Sequence, residues 1–207
     1  MSSVYGLVAD VHLHAWSSFS QVLPSGLNSR LAGLLSELRR CAVETVRAGG
    51  KKVVIAGDVF HVRGSVAPSV LNPTIDILRQ IHEELGVTFT IIAGNHDLEG
   101  KIATRLGSAI TALESPWVRV CDQVHVDTEI KAMMVPWIES TGALKEEIVA
   151  LTKLDAYECK SWRLVRHTEE FNDTFSISSL SARIKGQFEP GKIDNTWTTF
   201  TVLNTKW

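Results

Sequence analysis

Three short apolar runs, rich in β-branched residues, each end at a group of polar side chains that could bind a metal ion. The runs cover residues 4–9, 53–56 and 87–93, and the groups that follow them are Asp10-Val11-His12, Gly57-Asp58 and Gly94-Asn95-His96-Asp97. Apolar runs of this length are typical of parallel strands buried on both faces. Because parallel strands gather ligands at their carboxyl ends, we expect the three polar groups to converge on one pocket.

Amphipathic segments between these runs predict two crossover helices. The first is expected from Asn28, a plausible N-cap, to about Ala48, with Gly49-Gly50 as its stop. The second is expected to start at Asn72-Pro73 and to close at Gly86. The resulting order, strand-helix-strand-helix-strand, predicts an α/β fold.

Beyond Asp97 the pattern predicts smaller elements and a change of character. Helices are expected over residues 102–113 and from Ala143 to Leu154, and short strands over 118–120, 124–126 and 130–135. After about residue 155, Ser and Thr become frequent and helical periodicity fades, although residues 196–203 alternate like a strand. We therefore predict one domain over residues 1–155 and a Ser/Thr-rich C-terminal extension of uncertain fold over residues 156–207.

Composition narrows the partners and the compartment. The 207 residues carry a formal charge of −2, so no global basic excess attracts nucleic acid, and any phosphate contact must be local. Cys41, Cys121 and Cys159 are far apart and lack Cys-x-x-Cys spacing, which predicts free thiols in a reducing compartment. With no signal-like start and no long apolar run, a cytoplasmic protein without a membrane anchor is expected.

The polar groups have a shared chemistry. In an extended strand Asp10 and His12 would point the same way and could hold one ion, although an Asp-x-His pair alone is usually an ordinary loop. A carboxylate at Asp58 is suited to bridging two cations, with a helix cap as the simpler alternative. His96 offers a ligand or a proton donor, and Asp97 is expected to fix its tautomer.

Three further side chains near these motifs are expected to surround the pocket. His14 follows the first ligand pair and is expected to pack beside it, while His61 and Arg63 are expected to face the substrate. An arginine fork can bind a phosphate group, although most arginines on loops are simply solvated.

Taken together, the three motifs resemble those of the calcineurin-like metallophosphoesterases. Within that superfamily, residues 56–61, the Ala67-Pro68 pair and residues 92–97 are most similar to the SbcD-type DNA-repair nucleases, including phage relatives. The resemblance covers about residues 4–154 and implies an α/β/β/α sandwich. It also implies a metal-dependent phosphodiesterase or nuclease that acts on DNA and works with an SbcC-type coiled-coil ATPase partner.

The resemblance assigns a role to each motif residue. It implies Asp10 and His12 on a first metal ion, Asp58 bridging two ions, Asn95 on the second, and His96 assisting the leaving group. The two divalent ions are expected to be Mn²⁺, with Fe or Zn as alternatives, because the ligands mix oxygen and nitrogen.

The last quarter departs from the family pattern. The family's Gly-His and Gly-His-x-His motifs are absent, and His125 and His167 are expected to be ordinary histidines. The sandwich is therefore expected to be incomplete at its C-terminus, with a weak second metal site and catalytic activity in doubt. Three alternatives stay open: a phosphomonoesterase, a cyclic-nucleotide phosphodiesterase, and a catalytically impaired remnant or interaction module.

Overall fold

The computed structural model describes residues 4–101, 104–130, 132–140, 142–144, 146–147 and 163–166. Its strands and helices, in chain order, are β1 (Gly6–Val8), α1 (Ser29–Arg47), β2 (Lys52–Ala56), α2 (Pro68–Leu85), β3 (Thr88–Ile92), a 3₁₀ turn (Ala109–Leu113), β4 (Val118–Cys121), β5 (His125–Asp127), β6 (Ala132–Val135) and β7 (Arg163–Arg166). Among these residues, no helix has the length and apolar character needed to cross a membrane.

The strands form two sheets. The first is four-stranded in the order β1-β2-β3-β4, and all its neighbouring pairs are parallel. The second is three-stranded, with β5 antiparallel to β6 and β6 parallel to β7. The predicted α/β class and the strand-helix order are thus confirmed, β4, β5 and β6 lie within two residues of their expected positions, and β7 was not predicted.

Alternation along β2 and β3 explains how the layers pack, because successive side chains of a strand point to opposite faces. Val53 and Ile55 lie in the same buried cluster as Leu38 of α1 and Leu78 of α2. Their neighbours face the second sheet, in a cluster that contains Val54, Ala56, Ile92, Ala132, Met134 and Val165. The described residues therefore form three layers, helices on sheet on sheet.

The predicted fourth layer falls mostly outside the described residues. Of the helix expected over residues 143–154, residues 143–144 and 146–147 are described, and they are helical, as is residue 142. β7 lies beyond the expected domain boundary at residue 155 and pairs with β6 of the second sheet. The remainder of the extension lies outside the described residues, and the strand expected over residues 196–203 therefore stays a prediction.

The ends of the two crossover helices differ in how well the sequence predicted them. Asn28 caps α1 as expected, since its side chain accepts hydrogen bonds from the backbone N–H groups of Arg30 (3.0 Å) and Leu31 (3.2 Å). The expected start of α2 at Asn72-Pro73 is wrong, because the helix begins at Pro68. Proline suits a first helical position, and the buried face that includes Val70 continues the helix past Pro73 despite one lost hydrogen bond.

The helix expected over residues 102–113 is also wrong in its described part. Residues 104–108 are not helical, and only Ala109–Leu113 forms a 3₁₀ turn. The backbone bonds elsewhere: Ala109 N–H donates to the Asp97 carbonyl (2.8 Å), and Glu99 N–H donates to the Gly107 carbonyl (2.9 Å). The segment is therefore tied to the loop after β3 rather than to itself.

Candidate metal centre

The loops after β1 and β2 run side by side at the carboxyl edge of the first sheet. His12 N–H donates to the Asp58 carbonyl (2.8 Å), and Leu13 N–H donates to the Val59 carbonyl (2.7 Å). This pairing gathers side chains from both loops, so that Asp10, His12 and Asp58 each present a ligand atom within 4.8 Å of the other two. The expected convergence of these three side chains is observed, and their role as metal ligands stays a prediction.

The reason given for Asp10 and His12 pointing the same way needs correction. β1 ends at Val8, and Asp10 and His12 are not in an extended strand but have φ angles of 54° and 48°. Asp58 has a φ angle of 50°. Left-handed backbone at residues other than glycine is uncommon, costs free energy and persists only where the surroundings enforce it. The two side chains therefore meet through a strained turn and not through strand periodicity.

The loop after β3 holds the Asp58 side chain. His96 N–H donates to Asp58 Oδ1 (2.9 Å), while Asp58 Oδ2 lies 3.7 Å from His12 Nε2. Gly94 allows this approach, because a Cβ atom at that position would lie 2.2 Å from Asp58 Oδ1 and 2.3 Å from the Asp58 backbone nitrogen. Asn95, between Gly94 and His96, is only 1% exposed.

Asp97 does not fix the tautomer of His96, so that expectation is wrong. Its carboxylate accepts backbone N–H groups from Gly94 (2.9 Å), Val59 (3.3 Å) and Phe60 (3.1 Å), and thereby joins the loops after β2 and β3. Burial raises the pKa of Asp97 to about 6, against the opposing effect of these hydrogen bonds. The expectation rested on the common pairing of a carboxylate with an imidazole, but here nearby backbone N–H groups occupy the carboxylate of Asp97.

A carbonyl group orients His96 instead. His96 Nδ1 lies 2.6 Å from the carbonyl oxygen of His61. Since a carbonyl can only accept, Nδ1 carries the hydrogen, and Nε2 is the nitrogen that can bind an ion or transfer a proton.

A second group of ligand atoms shares His12 with the first. His12, His61 and His96 each present a nitrogen within 4.8 Å of the other two. The sequence placed His61 beside the substrate but did not identify it as a ligand, although its position three residues after Asp58 on the same loop was an available signal. Burial, together with the neighbouring imidazoles of His12, His14 and His96, lowers the pKa of His61.

The rings of Trp16 and His14 pack beside this histidine group. The Trp16 ring centroid lies 4.2 Å from that of His61 and 5.0 Å from that of His14. His14 therefore packs beside the pocket. Arg63 is exposed on the same loop as His61, and no described contact directs it toward a substrate.

The late histidines do not extend either group within the described part of the chain. His125 begins β5 and pairs with Met134 in the second sheet. His167 lies outside the described residues.

The donor atoms fit divalent cations. Asp10 and Asp58 supply carboxylate oxygens and His12 supplies an imidazole, a mixture that suits manganese or iron. Ligand atoms on opposite sides of one ion lie about 4.2 Å apart when each bond is about 2.1 Å, so the observed spacing needs only a small adjustment. The described residues can therefore hold a divalent cation, without defining which one.

No protein-family model matches this chain, and no curated protein matches it. Among solved structures, it is similar to a dimetal phosphatase from Danio rerio, with 20% identity and a TM-score of 0.33 over 46% of this chain and 30% of that chain. It is also similar to the Pseudomonas putida nuclease MPE, with 23% identity and a TM-score of 0.32 over 56% of this chain and 45% of that chain. The chain thus covers less than half the length of either structure.

Proposed function

We propose that this protein is a metal-dependent phosphoester hydrolase. The observation that carries the proposal is the convergence of Asp10, His12 and Asp58 at the carboxyl edge of a parallel sheet, with His96 bonded to Asp58 from the next loop. The order of these motifs also resembles that of the calcineurin-like metallophosphoesterases, which supports the same class.

The proposed roles follow from the contacts. Asp10 and His12 hold a first ion, Asp58 bridges to a second, and Asn95 contributes its side-chain oxygen to that second ion. When bound, divalent cations stabilise the negative charge that develops on phosphoryl oxygens. The His61 carbonyl fixes Nδ1 of His96 as a donor, which leaves Nε2 to deliver a proton to the leaving group when the ring is protonated.

We further propose DNA as the substrate and Mn²⁺ as the metal. The support for DNA is the resemblance of residues 56–61 and of Ala67-Pro68 to SbcD-type nucleases. Phosphomonoesters and cyclic nucleotides are the alternative substrates, because the three motifs are common to those enzymes in the same superfamily. An SbcC-type coiled-coil ATPase partner is proposed on the resemblance alone.

The alternative of another class is a catalytically impaired remnant or interaction module. The missing Gly-His and Gly-His-x-His motifs favour it, since they leave each ion with fewer protein ligands. Water can fill open positions around manganese, so fewer ligands predict weaker binding rather than certain loss of activity. Only a measurement of turnover separates the two proposals.

The experiment compares Mn²⁺-dependent hydrolysis of linear DNA, a chromogenic phosphodiester and a chromogenic phosphomonoester. Asp58→Asn is expected to lower turnover at least about 100-fold, because loss of even an outer partner of a metal ligand typically costs 10- to 100-fold. Asp76→Asn is the matched control, since Asp76 is an exposed residue of α2 that pairs with Arg79.

Each result has a distinct meaning. Turnover lost in Asp58→Asn and kept in Asp76→Asn supports the hydrolase, and the preferred substrate selects among the alternatives. Folded wild-type protein without turnover on any substrate favours the remnant. Equal turnover in wild type and Asp58→Asn contradicts the proposed site.

A further inference from the structure

We propose that His12, His61 and His96 form an additional ion site, a three-histidine site for a zinc-class cation that shares only His12 with the carboxylate site of Asp10, His12 and Asp58. The three imidazoles come from three different loops, and each presents a nitrogen within 4.8 Å of the other two. The inference concerns metal binding and does not rest on phosphoester hydrolysis.

The ring geometry leaves room for one ion between the histidines. Ring centroids lie 5.5 Å apart for His12 and His61, 5.0 Å for His12 and His96, and 6.0 Å for His61 and His96. In a tetrahedral site with Zn–N bonds of about 2.0 to 2.1 Å, nitrogens lie about 3.4 Å apart. The histidine nitrogens lie within 4.8 Å of one another, so a pair at that limit must approach by about 1.4 Å. Small side-chain rotations can provide this movement.

Backbone contacts already fix the third member of the group. His61 N–H donates to the Leu13 carbonyl (3.2 Å), and the His61 carbonyl accepts from Nδ1 of His96 (2.6 Å). Gly64 N–H also donates to the His96 carbonyl (3.0 Å). The His61 backbone is thus tied to the loops that carry His12 and His96, which holds the three histidines close together.

The hydrogen bond of His96 also defines its ligand atom. Because Nδ1 donates to a backbone carbonyl, Nε2 is the nitrogen directed to an ion, an arrangement common for metal-binding histidines. The Trp16 ring packs 4.2 Å from the His61 ring and limits its rotation on the other side. Three oriented imidazoles with an open fourth position are a recurrent zinc arrangement.

The two sites differ in the ions they favour. Three imidazoles suit zinc, copper and nickel, whereas two carboxylates with one imidazole suit manganese or iron. His12 belongs to both groups, and its Nε2 already lies 3.7 Å from Asp58 Oδ2. Since one imidazole nitrogen binds one ion, occupation of the three-histidine site should displace His12 from the carboxylate site.

The experiment measures ion binding by metal-free protein with three probes. Competition with a chromophoric chelator gives the Zn²⁺ affinity, visible absorption of Co²⁺ reports tetrahedral coordination, and electron paramagnetic resonance reports bound Mn²⁺. His61→Ala and His61→Gln are expected to weaken Zn²⁺ binding about 100-fold and to remove the intense tetrahedral Co²⁺ band, because a ligand is lost. Circular dichroism verifies that each variant is folded.

Two control variants isolate the site. His14→Ala removes a neighbouring imidazole that lies 5.3 Å from His61 but belongs to neither ligand group, so Zn²⁺ binding should be unchanged. Asp10→Asn should weaken Mn²⁺ binding while leaving Zn²⁺ affinity within a few-fold. Zn²⁺ added to the wild type should release bound Mn²⁺.

Three results would contradict the three-histidine site. The proposal fails if the wild type lacks a tetrahedral Co²⁺ band, or if both folded His61 variants bind Zn²⁺ as the wild type does. It also fails if Asp10→Asn removes Zn²⁺ binding as fully as His61→Ala. Loss of hydrolysis in Asp58→Asn is separate, so the two proposals can fail independently.

Discussion

Two regions of this protein are held together in different ways. The first is the seam between the two sheets, formed by Val54, Ala56, Ile92, Ala132, Met134 and Val165. The second is the centre, formed by residues 10–13, 57–61 and 93–97 of the loops that follow β1, β2 and β3. The seam consists mainly of buried apolar side chains on regular strands, whereas the centre combines directional backbone hydrogen bonds with three non-glycine residues at positive φ, Asp10, His12 and Asp58.

Because of this difference, the two regions should be sensitive to different kinds of substitution. Apolar contacts are not directional, so a core accepts changes of shape when volume is kept. The centre depends on particular donors, acceptors and close approaches, so a single added atom or a changed polarity should disturb it. The predictions below test that contrast.

The largest effect is expected from one methyl group in the centre. Gly94→Ala places a Cβ atom 2.3 Å from the Asp58 backbone nitrogen, which cannot move aside without displacing the loop. We expect the free energy of unfolding to fall by about 3 kcal/mol, as for a severe overpacking change. Urea denaturation measures this loss, and Mn²⁺ binding should weaken with it.

Gly33→Ala is the matched control for that substitution. A Cβ atom at this position of α1 meets nothing within 4 Å. Because alanine favours helix over glycine, this variant should gain about 0.5 to 1 kcal/mol. Equal stability of the two variants would show that the loop after β3 is not fixed against Asp58.

A change of polarity without a change of shape should have the next largest effect. Asp97→Asn keeps the volume but replaces one carboxylate oxygen by an NH₂ group. Because three buried N–H groups donate to this carboxylate, at least one of them loses its acceptor. We expect a loss of about 2 kcal/mol, the cost of an unpaired buried donor. Thermal unfolding of metal-free protein measures it, and an unchanged melting temperature would contradict the assigned role of Asp97.

The two regions also differ in how much of each could be predicted from the sequence. Continuous apolar runs predicted β1, β2 and β3, and amphipathic periodicity predicted both crossover helices, because these patterns depend on which faces of an element are buried. The gathering of Asp10, His12 and Asp58 was also predicted, from the rule that parallel strands end at one edge. Local choices such as the Asn28 cap followed from side-chain chemistry.

Features that depend on contacts between distant loops were not predictable. Nothing in the motif shows that Asp97 accepts three backbone N–H groups or that the His61 carbonyl orients His96. The positive φ angles of Asp10 and His12 likewise follow from pairing with the next loop. Propensity alone could not show that residues 104–108 bond to the loop after β3.

A polar contact also joins the two sheets beside the seam. Lys52 Nζ lies 2.6 Å from Asp127 Oδ2 and 2.7 Å from Glu129 Oε2, and so links β2 to the second sheet. Burial is the largest single influence on Asp127 and raises its pKa, but the hydrogen bond and charge of Lys52, together with the backbone N–H groups of Ile130 and Glu129, outweigh it and leave the pKa of that carboxyl below its ordinary value. Lys52→Met should therefore destabilise by about 2 kcal/mol, less than for a fully buried pair.

The pH dependence identifies the cause of that loss. A carboxyl with a lowered pKa in the folded state adds stability above its ordinary pKa and loses that contribution as pH falls through the folded value. The difference between wild type and Lys52→Met should therefore shrink in acid. Lys51→Met is the control, since Lys51 is exposed. A difference independent of pH would indicate packing rather than charge.

The smallest effect concerns the strain itself, measured away from the centre. Phe19 has a φ angle of 55° and is 99% exposed, so its side chain contributes little burial. Phe19→Gly relieves the left-handed backbone, and Phe19→Ala removes the same ring without relieving it. Because glycine also gains entropy in the unfolded chain, we expect the glycine variant to be more stable than the alanine variant by only about 0.5 kcal/mol. A difference of that sign in chemical denaturation would mean that Asp10, His12 and Asp58 each carry a comparable cost in backbone strain, which their loop contacts offset. Equal stabilities would mean that backbone strain does not distinguish the centre from the seam.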